Sequence, residues 1–363
     1  MEEYTKNRIL IASTQSLTLN LFYDDIINSL IKNNYKVKLA VKDPNNLKYN
    51  IDNIRLDLPK NFYEILNIFK VIIILYKIRK IIKKIKNYIY LLNTPLVAHL
   101  FRLSSIFLKC KIIYFVHGYR FHDKSNFFSY IFFYILEYIL SYKTNSYINI
   151  NSYDSNITIN KFNKKNILIG GVGISSPKKI KNMNYSSFFR VGIISAYRKN
   201  KGYDEIIKVA KKIMKLNKNI VFDCYGYGDS KKFKNYTSKN DISNIKFHEF
   251  TNNIDNAIMN FDIFLHLSHR EGLPVSLMQC LSHGVPIICT NIRGNRDLVK
   301  DKFNGHLVNL KNNSYEVCEL ILSFYNNRNK VLNFSKNAFI SLGPEYLKKN
   351  ISAKIIKFIN EDI

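Results

Sequence analysis

Apolar residues follow two spacings along this chain, and the alternation between them predicts the architecture. Short continuous runs, Ile9 to Ala12, Tyr35 to Val41, Tyr88 to Leu92, Lys111 to Val116, Tyr147 to Asn151 and Asn166 to Gly170, have the length and two-sided hydrophobicity of buried parallel strands. Between them, Leu21 to Ile31, Phe62 to Ile89 and Leu96 to Leu108 carry apolar residues three and four apart, the pattern of helices packed on a sheet. A polar, basic, Pro-containing stretch from Ser175 to Lys181 interrupts the series. It resumes with strands at Phe189 to Ile194, Ile220 to Tyr225, Ile245 to Phe250, Phe261 to Leu267, Pro286 to Thr290 and an edge strand at Asn304 to Val308. Helices are predicted at Tyr203 to Leu216, Tyr315 to Tyr325 and Tyr346 to Asn360. Repeated βαβ units predict an α/β protein of two doubly wound parallel-sheet domains, 1–174 and 188–343, with a linker at 175–187 and a terminal helix within 344–363.

Composition agrees with two cores, since 363 residues exceed what one core usually organises and 47% of them are hydrophobic. Charge adds something new. There are 55 Lys and Arg against 27 Asp and Glu, a net +28, which points to a polyanion, an anionic membrane surface or phosphorylated substrates. The bases are dispersed through the doubly wound pattern with no nucleic-acid module, so no nucleic-acid partner is expected. They do gather between Lys60 and Tyr90, where eight bases meet one acid on a predicted helix whose apolar face is Val71, Leu75, Ile78, Ile82, Ile85 and Ile89. That helix reads as sheet-packed with a solvated basic face or as an interfacial helix drawn to anionic lipid, and the two are compatible. The apolar runs here and at Phe127 to Leu140, which Glu137 interrupts, fall short of the ~20 residues needed to span a bilayer. Five cysteines stand without Cys-x-x-Cys or Cys/His pairing, as buried thiols in a reducing compartment do. The acidic start Met1-Glu2-Glu3-Tyr4 lacks a leader pattern. The expected location is cytoplasmic, peripherally attached to the inner face of the cell membrane.

The candidate chemistry is concentrated from Arg270 to Asp297. Glu271-Gly272-Leu273-Pro274 follows an apolar strand and opens a helix, placing an acid where free backbone N–H groups and the helix dipole favour anions. With Gln279 later in that helix and Gly284-Val285-Pro286 beyond it, the block resembles the donor-sugar motif of family-4 glycosyltransferases of the GT-B fold. The resemblance implies two Rossmann-like domains facing a central cleft, the first binding the acceptor and the second the nucleotide sugar, with the terminal helix crossing back onto the first. It implies that Glu271 lies by the donor hexose, with Gly272, Leu273 and Pro274 in the donor loop. The family's second Glu, which accepts from the ribose hydroxyls, is Gln279 here, an amide that accepts without the strengthening charge. His117-Gly118, at a strand end, matches the His that faces the donor sugar, and Arg120 and His122 are candidates for the acceptor's phosphate. Arg198 and Lys201, before a predicted helix, match the bases that hold the donor diphosphate.

The activity implied is retaining transfer of a sugar from a nucleotide donor, UDP-linked, to a membrane-bound, polyprenyl-diphosphate-linked saccharide in surface polysaccharide assembly. The sequence contains no Asp-x-Asp, so no divalent metal cofactor is expected. A non-catalytic partner subunit of the same fold, suggested by Gln279, and a basic nucleic-acid-binding protein are alternative readings, as is a related GT-B epimerase or phosphorylase.

Overall fold

The computed structural model describes residues 7–59, 67–122, 125–175, 187–251, 253–309 and 314–362. The predicted linker lies almost wholly outside these residues, as do Met1 to Tyr4 and the beginning of the helix predicted from Phe62. The chain forms two units, residues 1–172 with 348–363, and residues 173–347.

The first unit is built on seven strands: β1 (Arg8–Ala12), β2 (Lys36–Val41), β3 (Asn53–Arg55), β4 (Ile89–Asn93), β5 (Lys111–Val116), β6 (Ser146–Asn149) and β7 (Lys165–Leu168). All pair in parallel, in the order β3-β2-β1-β4-β5-β6-β7. Its helices are α1 (Ser16–Phe22), α2 (Asp24–Lys32), α3 (Ile68–Lys84), α4 (Pro95–Ser104), α5 (Phe127–Ser141) and α6 (Ser152–Asn160). The single helix predicted over Leu21 to Ile31 is two, broken at Tyr23, whose ring is fully buried. In α3 the buried positions are Ile74, Ile78 and Ile82, and Ile89 is the first residue of β4 rather than part of the helix. A buried ion pair joins α4 to α5. Arg102 donates to Glu137 at 2.8 Å, its guanidinium lies 4.5 Å from the centre of the Tyr114 ring, and His99 shares Glu137 at 2.7 Å.

The second unit carries β8 (Phe189–Ile194), β9 (Ile220–Tyr225), β10 (Ile245–His248), β11 (Ile263–His266), β12 (Ile287–Thr290) and β13 (Gly305–Val308). These too pair only in parallel, in the order β10-β9-β8-β11-β12-β13. Its helices are α7 (Tyr203–Leu216), α8 (Lys231–Lys239), α9 (Ile254–Ile258), α10 (Val275–Ser282), α11 (Asn295–Leu298), α12 (Ser314–Asn326) and α13 (Arg328–Ile340). Pro274 is not in the first turn of α10 but caps it, its carbonyl accepting from Met278 N. The final helix, α14 (Lys348–Asp362), belongs to the first unit. It buries Ile351, Ile355 and Ile359, pairs Lys348 with Asp25 at 3.3 Å, and bonds Asn360 to Tyr35.

Candidate active site

Both sheets are doubly wound, so each has a point where successive connections change direction, and ligands of such sheets bind beyond the strands' carboxyl ends there. In the second unit that point lies between β8 and β11. Three loops meet around it, after β8, β11 and β12. Two glycines allow the approach. A Cβ on Gly202 (φ +79°) would stand 2.0 Å from the Leu267 carbonyl oxygen, and one on Gly294 (φ +79°) 1.9 Å from that of Gly272. Hydrogen bonds knit the loops together: His269 N to Asn200 O at 3.1 Å, and Thr290 Oγ1 to Ser268 O at 2.6 Å.

Glu271 stands in the middle of this junction. Lys201 Nζ donates to its Oε1 at 2.6 Å, and His266 Nε2 lies 3.2 Å from the same oxygen. Burial alone would raise the carboxyl, but His266 and Lys201 outweigh it and hold the group at about 2, so Glu271 is a carboxylate at neutral pH. Both donors converge on Oε1, and among the described residues no partner is seen for Oε2. Arg293, only 3% exposed, donates from Nε to the Glu271 carbonyl at 3.3 Å and so fixes the loop from the β12 side.

The other predicted donor residues lie on the same loops with fewer contacts. Gly272 and Leu273 form the turn that Gly294 approaches. Gln279 is half-buried in α10, and among the described residues its amide has no partner. Arg198 is exposed ahead of α7, its guanidinium 5.7 Å from the centre of the Tyr227 ring. Thus the structure pairs Lys201 with Glu271, whereas Arg198 and Lys201 were predicted to act together on phosphate. Lys201 retains two further N–H donors in that pairing.

In the first unit, His117 follows β5. Tyr23 OH lies 2.6 Å from His117 Nε2 and donates to Asn93 Oδ1, while Asn93 Nδ2 donates to Ala12 O at 3.3 Å. A phenol has one proton, and here Asn93 takes it. His117 Nε2 must then be the donor, leaving Nδ1 as the imidazole's acceptor. Burial pushes the imidazole down to about 4, so it is neutral at pH 7, stacked 4.7 Å from Phe115. Thr94, at the end of β4 beside β1, has φ +62°, a costly conformation for a β-branched residue, and its hydroxyl meets that of Thr14 at 2.6 Å. Arg120 is exposed with its guanidinium 5.3 Å from the centre of the Phe133 ring, and His122 N bonds to Ser125 Oγ at 3.1 Å. Sequence reasoning did not single out His266, Tyr23 or Asn93, and it placed Arg293 in a turn at the same crevice without giving it a role. A histidine inside the apolar run Phe261 to Leu267 was a legible signal for the first of them.

Residues 178–340 match the family model described as glycosyl transferases group 1. The poly(ribitol-phosphate) α-N-acetylglucosaminyltransferase of Staphylococcus aureus is 26% identical over 207 residues, covering 56% of this chain and 41% of that protein. An Escherichia coli UDP-Gal:α-D-GlcNAc-diphosphoundecaprenol α-1,3-galactosyltransferase is 41% identical over 59 residues, 16% of this chain and 15% of that protein. The chain therefore spans well under half the length of these relatives. Among solved structures, sucrose-phosphate synthase from Thermosynechococcus elongatus superposes with a TM-score of 0.79 at 12% identity, over 98% of each chain. An Anabaena protein, HepE, crystallised with UDP and glucose, superposes with a TM-score of 0.74 at 14% identity, over 98% of this chain and 100% of that one. These likenesses establish the GT-B architecture of two parallel-sheet α/β units.

Proposed function

We propose that this chain, a member of the group 1 glycosyl transferases through residues 178–340, is a hexosyltransferase that moves a sugar from a UDP-linked donor to a polyprenyl-diphosphate-linked saccharide at an anionic membrane surface. The observation that carries the reading is Glu271. A buried carboxylate held ionised at a switch point, with two partners on one oxygen and none among the described residues on the other, is suited to accept hydroxyls of a hexose. Transfer proceeds with retention of anomeric configuration, following the family motif. The charge that develops on the leaving diphosphate is met by Lys201, Arg198 and the free amides at the start of α7, without a divalent metal. His117 takes the role of its motif, with Nδ1 accepting from a sugar hydroxyl, and Gln279 accepts from the ribose. The UDP donor and lipid diphosphate acceptor draw support from the name of the E. coli relative, and the polymer context from that of the S. aureus relative.

Thermal-shift screening against nucleotides and nucleotide sugars tests this reading. A ligand at 100 times its Kd stabilises by about 2.7 kcal/mol, and the expected response is to UDP and one UDP-sugar. A chain that responds to no nucleotide refutes it.

A further inference from the structure

Helix α5 reads Phe-Phe-Ser-Tyr-Ile-Phe-Phe-Tyr-Ile-Leu-Glu-Tyr-Ile-Leu-Ser, and its one charged residue, Glu137, is turned inward and consumed by Arg102 and His99. Its outer face therefore carries no charge. That face exposes Phe127 (71%), Phe128 (83%) and Phe132 (62%), continued by Ile131, Ile135 and Ile139. A helix on a water-facing surface ordinarily sets charged residues opposite its packed side, and a contiguous apolar face of this kind marks an interaction surface. The first turns of α3 likewise expose Ile68, Phe69, Ile72, Ile73 and Tyr76, with Lys70 among them, while lysines at 77, 80, 83 and 84 occupy its later turns. Helix α4 packs against both α3 and α5, so the two apolar faces belong to one helical layer of the first unit.

We propose that the outer face of α5, together with the first turns of α3, inserts into the interfacial region of an anionic bilayer. This deepens the membrane attachment included above and rests on it. Charge decides between a bilayer and a second copy of the chain. Apposing two chains of net +28 sets like charges against each other, whereas an anionic surface complements the lysines beside the patch. Length decides the depth. The 15 residues of α5 reach about 22 Å, and no helix among the described residues is long and apolar enough to cross a membrane. The helix thus lies in the interface plane, its rings entering by about 5–10 Å. Insertion also bears on Arg120 and Phe121. Phe121 packs edge-on to Tyr130 and Tyr134, and Arg120 covers Phe133, so residues predicted for the acceptor phosphate are held at the root of the inserted helix.

The chain has no tryptophan, so a single introduced indole reports depth without background. With vesicles of phosphatidylglycerol and phosphatidylcholine, the emission of Phe128→Trp should shift to the blue and be quenched by brominated acyl chains. Leu216→Trp, exposed on the second unit, should do neither. Replacing Phe127, Phe128 and Phe132 together by Ser should reduce co-flotation at least tenfold, and Lys80, Lys83 and Lys84 to Glu should reduce it mainly at low salt. The proposal is overturned if Phe128→Trp is not quenched, or if the triple Ser variant floats like the parent. It is equally overturned if that variant only converts a dimer to a monomer, which makes the face an interface between copies. Because the Ser positions lie outside the second unit, the UDP thermal shift should persist in the variant. If UDP gives no shift in any form while the vesicle results hold, the glycosyl-transfer reading falls and the lipid-facing surface stands.

Discussion

Replacing Lys201 by Met and Glu271 by Gln, singly and together, tests whether these two residues form one unit. Their contact is 2.6 Å, with side chains 23% and 12% exposed, and among the described residues His266 is the one other side chain on the carboxylate. A carboxyl lowered from 4.5 to about 2 corresponds to on the order of 3 kcal/mol of folding free energy, to which His266 and Lys201 both contribute. Lys201→Met leaves a desolvated carboxylate with His266 as its remaining described partner, whereas the double variant leaves a neutral amide that needs no counter-charge. The cycle should therefore give a coupling of about 2 kcal/mol, far above the few tenths typical of exposed pairs. Urea unfolding followed through Leu216→Trp, within the second unit, measures it. Because the folded carboxyl is depressed, its stabilisation is fully present above about pH 4.5 and is lost as the pH falls through about 2. The gap between parent and Glu271→Gln should close as the pH falls below 4. A coupling under about 0.5 kcal/mol, or a gap that fails to close below pH 4, refutes the geometry on which the proposed donor site rests.

Three other outcomes follow. His117→Ala should lower turnover on the order of 10²–10³-fold with little change in stability, and unchanged turnover removes His117 from the site. The imidazole, held at about 4, should show no titration near 6.5 by NMR; its contribution to stability is complete above about pH 6.5 and lost as the pH falls through 4. Gly294→Ala would force a Cβ 1.9 Å from the Gly272 carbonyl at φ +79°, and should cost on the order of 2 kcal/mol and abolish the UDP thermal shift, whereas a neutral result breaks the argument for loop closure. Gln279→Glu should tighten UDP by on the order of 1 kcal/mol in calorimetry, through a charge-assisted bond to the ribose, and unchanged affinity places Gln279 away from it.

The strands were legible because burial on both faces leaves a continuous apolar run, and β8, β9 and α7 begin and end where the pattern predicts. Elements without that signature were not. Strand β3 is three residues of Asn-Ile-Arg at a sheet edge, and α13 buries Ser335 between Val331 and Ala338, so its buried face carries no clean apolar period. Within the site the same distinction holds. Glu271 could be found because a local motif carries it, but its partners come from residues 5 and 70 positions away, and Tyr23 reaches His117 across 94. Periodicity reports how a residue sits on its own element and is silent about which strand end will lie beside it.

Helix α5 shows where the pattern itself is ambiguous. A run with mostly aromatic and aliphatic residues is compatible with a core helix, and in the sequence Glu137 reads only as an interruption of that run. In the structure Glu137 is buried against Arg102, and the phenylalanines are outside. Turning the only acid inward costs desolvation that a solvent-facing carboxylate would avoid, so the arrangement is stable only because Arg102 and His99 compensate it. An outer face cleared of charge in this way is unusual for a helix that faces water. It is the property that an interfacial helix requires, and it lies immediately after the loop in which the sequence placed the acceptor's phosphate.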